Sequence, residues 1–169
     1  MPVSNDNFFD DFHNPLDGVE SILMRQKWTY SRMNRDELFL ELKGQHGIYR
    51  MMFLWNDTHE VIQLCAEFDM RLADFHYERA CKMMNEINGA LWMGSFTLPP
   101  ESMIPNFRYT QMMRGLQGGS DMVDILEDLI QYTMDECDMH YPAFSILASE
   151  KTHDEDQLAL ALMPAAGLS

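Results

Sequence analysis

Apolar and polar positions alternate most clearly between Ile48 and Met70. Two apolar runs there flank Asn56, Asp57, Thr58 and His59, which predicts a strand, a polar turn and a returning strand. The first run is apolar on both sides apart from Arg50 and therefore predicts a strand covered on both faces. The second keeps Ile62, Leu64, Ala66, Phe68 and Met70 on one side and Gln63, Cys65, Glu67 and Asp69 on the other, which predicts cover on one side only. Upstream, Trp28 to Met33 and Glu37 to Lys43 predict two more strands around the turn Asn34, Arg35, Asp36, with Leu38, Leu40 and Leu42 sharing a face. Gly44 to Gly47 turns the chain into the central hairpin. Four consecutive strands with short connections predict an antiparallel meander.

Elsewhere the period is that of a helix. Asn14 followed by Pro15 reads as an N-cap with proline at the first helical position, and Leu16, Val19, Ile22 and Leu23 form a stripe that gives out near Gln26. A second helix is expected after an Asp74 cap, with Tyr77, Ala80, Cys81, Met84 and Ile87 on its stripe and Asn88 and Gly89 at its end. Strand character returns from Leu91 to Leu98 and, after the break at Pro99 and Pro100, from Phe107 to Arg114. Ser120 is expected to cap the third and longest helix. Its stripe is Met122, Ile125, Leu126, Leu129, Thr133, Cys137 and His140 or Tyr141, until Pro142 kinks or ends it. The expected fold is α+β: a twisted antiparallel sheet of about six strands with helices packed on one face, ordered helix, four strands, helix, two strands, helix. Residues 14–150 form the expected single domain. Residues 1–13 are acidic and without period, and are expected to be disordered. Residues 151–169 are expected to be a tail in which Leu158, Leu160, Leu162 and Met163 outline a short helix.

Charge narrows the range of partners. The 169 residues carry 27 acidic against 12 basic side chains, a formal net charge of -15, which repels phosphate backbones and anionic membrane surfaces. Neither a nucleic acid nor a membrane is an expected partner. No apolar run approaches the roughly 20 residues of a membrane helix, and Met1 to Phe12 lacks the basic start and apolar segment of a secretory signal, so a soluble cytosolic protein is expected. Cys65, Cys81 and Cys137 are widely spaced and form no C-x-x-C pair, which favours reduced, partly buried thiols over disulfides or a zinc ribbon.

Candidate chemistry is sparse. Cys137 and His140 stand at i and i+3 and could supply two metal ligands, but no second pair completes a site, so they are expected to be a packed cysteine and a rim histidine. Asp121, Asp124, Glu127, Asp128, Asp135, Glu136 and Asp138 crowd a helix in a region, Gly115 to Glu150, without a lysine or arginine. That anionic ridge reads as a solvated face or as a surface steering a basic partner. The glycine turn at 115–120 lies between a strand and a helix, where an anion could bind, yet Asp121 and Asp124 would repel a phosphate. No phosphate loop, nucleophile elbow or metalloprotease motif occurs, so neither catalysis nor a cofactor is expected. A pocket near Cys137 and His140 or near the glycine turn, serving a small-ligand sensor or an enzyme, is the alternative.

The second face of the sheet holds the stronger clue. If Leu38, Leu40, Leu42, Phe53, Trp55, Ile62, Leu64 and Phe68 face the helices, alternation leaves Phe39, Ile48, Arg50, Met52, Leu54 and Cys65 on the other side, with Glu67, Met93, Arg108, Met112 and Arg114. Among these, Phe39, Ile48, Arg50, Met52, Leu54, Glu67, Arg108 and Met112 are the candidate partner-binding residues. Burial of Met52, Leu54 and Met112 would supply affinity to a protein partner or a second copy of the chain, and Arg50, Glu67 and Arg108 would fix orientation. The competing expectation is that the third helix or a tail covers this face.

The element order, together with NPLDGVESIL at 14–23, LCAEFDMRL at 64–72, EINGALWMGSF at 86–96, FRYTQMMRG at 107–115 and DECDMHYPAF at 135–144, resembles the YbjN family of bacterial proteins. The resemblance runs over residues 14–150. It implies a candidate regulator of sensory transduction in the bacterial cytoplasm, with a fold similar to the type III secretion chaperones, small acidic α+β proteins that commonly dimerise and hold partner segments against their surface. It implies no catalytic or cofactor residues.

Overall fold

The computed structural model describes residues 14–116, 119–149 and 162–163. The chain runs α1 (Pro15–Gln26), β1 (Tyr30–Arg32), β2 (Glu37–Lys43), β3 (Ile48–Asn56), β4 (Val61–Phe68), a 3₁₀ turn (Asp74–His76), α2 (Tyr77–Ala90), β5 (Ser95–Thr97), β6 (Asn106–Met112) and α3 (Ser120–Ala148). The strands make one six-stranded antiparallel sheet in the order β1-β2-β3-β4-β6-β5, so the first four form a meander and β6 inserts beside β4. This is the α+β sheet with helices on one face that the pattern predicts. The two edge strands are only three residues long.

Register fixes which side chains share a face. Leu38 opposes Phe53, which opposes Leu64, which opposes Tyr109, and the neighbouring rows bring Met51, Ala66 and Phe107 to the same side. These positions are buried except Tyr109, which is partly buried, and one core cluster joins them to the stripes of all three helices. Phe144 of α3 packs edge-on against Phe68, with ring centroids 5.1 Å apart, and lies 5.4 Å from Phe96. The first apolar run is therefore covered on one side only, a correction to the expectation of two-sided cover. Met51 and Phe53 reach the helices, whereas Met52 is exposed.

Local signals placed some element ends and missed others. The Asn14 side chain accepts the N–H of Leu16 at 2.9 Å with Pro15 following, and Lys27 closes α1 in the left-handed conformation at φ 58°, so α1 has the limits expected of it. Asp74 does not cap α2. Its carboxylate takes Arg71 at 2.8 Å, and a 3₁₀ turn leads into the helix instead. Tyr77 falls off the α2 stripe onto the surface, while Met83 joins the core. Gly119, not Ser120, occupies the cap position of α3, with φ 84° and no capping side chain. Pro142 does not end α3, which continues to Ala148 because Ala143, Phe144 and Leu147 are all buried beyond it. Their packing outweighs the roughly 3 kcal/mol that an interior proline costs.

The expected strand over Leu91 to Leu98 shrinks to β5. Trp92 is 95% exposed, and Gly94 takes φ 74° where a side chain would collide with the Phe107 ring. Asn88 then fixes Phe96 by accepting its N–H at 2.7 Å and donating to its carbonyl at 3.0 Å. Met93 consequently lies beside Tyr109 and Tyr132 on the helix side of the sheet, contrary to its expected place on the open face. The expectations for residues 1–13, Leu158 and Leu160 fall outside the described residues. Leu162 packs against the core.

Candidate protein-docking face

No described helix crosses the face turned away from the core, so α3 is excluded as its cover. The register lays this face out in transverse rows. Ser31, Phe39, Met52, Cys65, Arg108 and Ser95 stand opposite one another from edge to edge. The row on one side reads Glu41, Arg50, Glu67, Asn106, Thr97, and the row on the other reads Glu37, Leu54, Gln63, Thr110. An apolar centre of Phe39, Met52, Leu54 and Cys65 thus lies between a mixed-charge row and polar amide and hydroxyl groups. Ile48 at one end and Met112 at the other extend it, and they are 45% and 60% exposed.

All eight expected partner-facing residues occupy this one face. Within it, Arg50 and Glu67 approach to 3.7 Å with both side chains nearly half exposed, so the pair is weak and its charges remain open to solvent. Gln63 donates to Thr110 at 2.8 Å. Burial pushes the Cys65 thiol above its usual pKa, and the adjacent Arg108 guanidinium partly offsets that rise. Beyond Ile48 the face dips into a cleft of about 440 Å³ lined by Glu41, Ile48, Arg50, Arg71 and Ile104 among others. Strand alternation gave no sign of Arg71 and Ile104, because both come from loops. Arg114 lies past the end of β6 and reaches Glu60 at 3.1 Å.

The other candidate positions are dispersed. Cys137 is fully buried, and its thiol is held well above the usual range by burial first and by Asp138 and Glu136 next. His140 Nδ1 sits 2.9 Å from the Glu136 carbonyl oxygen and 3.5 Å from its carboxylate, and the ring packs edge-on against Phe96. Cys137 is sealed in the core, and the His140 ring is packed between Phe96 and Glu136. The acidic ridge is also divided. Glu127 pairs with Arg25 of α1, Glu136 turns inward towards His140, and Asp138 accepts from Tyr49 and Gln45. Asp121, Asp124, Asp128 and Asp135 remain exposed. In the glycine turn Gly115 and Gly119 both have positive φ with open space around them, and Gly118 falls outside the described residues.

The stretch holding this sheet and its helices, residues 15–145, matches the model of the YbjN family, described as "Putative bacterial sensory transduction regulator". The chain belongs to the YbjN family. Its fold is also similar to the crystal structure of YbjN from E. coli, with a TM-score of 0.53 at 11% sequence identity, covering 73% of this chain and 86% of that one. At that identity the likeness concerns the fold. No curated protein matches the chain. Among the described residues no helix is long and apolar enough to cross a membrane.

Proposed function

We propose that this YbjN-family chain is a non-enzymatic protein-binding module of the bacterial cytoplasm, regulatory or chaperone-like, that docks a partner protein on the open face of its sheet. The observation that carries the reading is the transverse row Phe39, Met52, Cys65, Arg108, which forms an apolar centre bordered by charges of both signs with no described helix above it. Such a composition suits a desolvated centre with an orienting rim. The exposed acids of α3 lie on the far side of the molecule and add steering towards a basic partner.

The same face also suits a second copy of the chain. Arg50 and Glu67 stand side by side on adjacent strands, so a two-fold axis near them sets each arginine against the other copy's glutamate. Light scattering of the wild type beside Met52→Asp and Met112→Asp tests this: a dimer that both variants dissociate is the expected result. If the wild type is monomeric, purified partners captured by cross-linking must lose binding in the same variants. A monomer whose captured partners bind both variants as well as the wild type would overturn the reading.

A further inference from the structure

A second cleft, of about 480 Å³, lies on the helix side of the sheet, where α3 runs past β6. Its floor is Ile125 and Leu129 of α3, and its walls are the rings of Tyr109 and Tyr132, whose centroids are 5.8 Å apart. Asp128 and Asp135 stand on its α3 rim, seven residues or two helical turns apart, which places their origins about 10 Å apart along the axis. No lysine, arginine or histidine lines it.

The hydrogen-bonding state of the lining selects the ligand. Tyr132 donates its hydroxyl to the Met93 carbonyl at 3.1 Å, and Tyr109 lies 3.1 Å from both the Met93 sulfur and the Gln111 amide oxygen. Gln111 donates to the Met112 carbonyl at 3.0 Å, and Gln131 donates to Asp135 at 2.8 Å. The phenol hydroxyls and one N–H of each amide are thus engaged within the protein. The Asp128 carboxylate, the second oxygen of Asp135, the phenol oxygens and the ring faces remain, and all of these favour a cationic donor. The net charge of -15 raises the local concentration of such a ligand. An aliphatic chain bearing a single charge would meet one rim carboxylate, whereas two ammonium groups joined by methylenes meet both and cover the apolar floor.

We propose that this cleft binds a linear aliphatic polyamine, with one ammonium group at Asp128, another at Asp135, and the methylene chain between them against Leu129, Tyr109 and Tyr132. The site is on the opposite side of the sheet from the docking face and does not depend on it.

Calorimetric titration of the full chain with spermidine at physiological salt tests the proposal. One saturable site is expected, weakened at least fivefold by Asp128→Asn or Asp135→Asn and at least fivefold for mono-acetylated spermidine. Asp121→Asn with Asp124→Asn removes the same kind of charge from the same helix outside the cleft and is expected to change affinity less than twofold. Equal weakening by the control substitutions would reduce the effect to general counterion attraction and overturn the proposal. So would binding of an oligolysine peptide to the cleft without any response to spermidine.

Discussion

The carboxylate of Asp138 on α3 accepts the hydroxyl hydrogen of Tyr49 on β3 at 2.7 Å, and both of its oxygens lie 3.0 Å from the backbone nitrogen of Gln45. One side chain therefore ties the longest helix to the central strand and to the turn leading into it. Gly44 permits this approach, because a side chain there would collide with both Asp138 and the Tyr49 ring. Tyr49 is fully buried, so deleting its acceptor strands a hydroxyl in the core. Asp138→Ala is expected to lower stability by about 1–3 kcal/mol, whereas Tyr49→Phe, which removes the buried donor, costs about 1 kcal/mol. Urea melts of the two variants and the double variant measure the difference, and non-additivity is expected in the double.

Alkaline pH should destabilise the chain earlier than phenol chemistry alone would. Burial holds the Cys137 and Cys65 thiols and the Tyr49 phenol above their usual values, Asp138 adding to the effect on Cys137 and Tyr49. Below the unfolded thiol value both states keep these protons and stability is insensitive to them. Above it the unfolded chain releases protons that the folded chain retains, so stability falls as pH rises. The decline is expected to begin near pH ~8.5 and steepen above about 10 as tyrosine joins. In Cys65→Ala with Cys137→Ala the first part of the decline is lost, which urea melts at stepped pH resolve.

Met51 and Met52 are adjacent in sequence and opposite in environment, the first fully buried and the second 36% exposed. Met51→Ala is expected to cost about 2–5 kcal/mol through loss of burial and an unfilled cavity. Met52→Ala is expected to stay within about 0.5 kcal/mol. Equal costs, measured by chemical denaturation, would mean that something covers the open face.

Arg108 is expected to set the reactivity of Cys65. Its positive charge opposes the rise that burial imposes on the thiol, so Arg108→Met, which keeps bulk and removes charge, lowers the thiolate fraction. Alkylation of Cys65 near neutral pH should slow by roughly two- to threefold, followed by peptide mass spectrometry. Buried Cys137 is expected to resist the reagent until the chain unfolds.

Strand alternation and the cap of the first helix were the most legible parts of this sequence. β2 spans Glu37–Lys43 and α1 spans Pro15–Gln26 as read, because a strict two-residue period and the Asn14–Pro15 pair are local signals. The same alternation located all eight open-face residues. Features set by distant packing were not legible. The burial of Ala143, Phe144 and Leu147 explains why α3 passes Pro142, and the Phe107 ring and the Asn88 side chain explain why β5 starts so late. The α3 cleft was hidden for the same reason: Tyr109 and Tyr132 are 23 positions apart and meet through the insertion of β6 beside β4. Helical periodicity also could not foresee that Asp138 would be spent on a turn 93 residues away.

The two three-residue border strands limit how copies or partners can add to this sheet. Strand-by-strand addition along a border can repeat without end, but it needs a longer row of free backbone groups than Tyr30–Arg32 or Ser95–Thr97 presents. Contact through the broad face uses up that face in a single event. An assembly formed through the broad face would therefore stop at one occupant or one twin, without the open-ended repetition that seeds fibres.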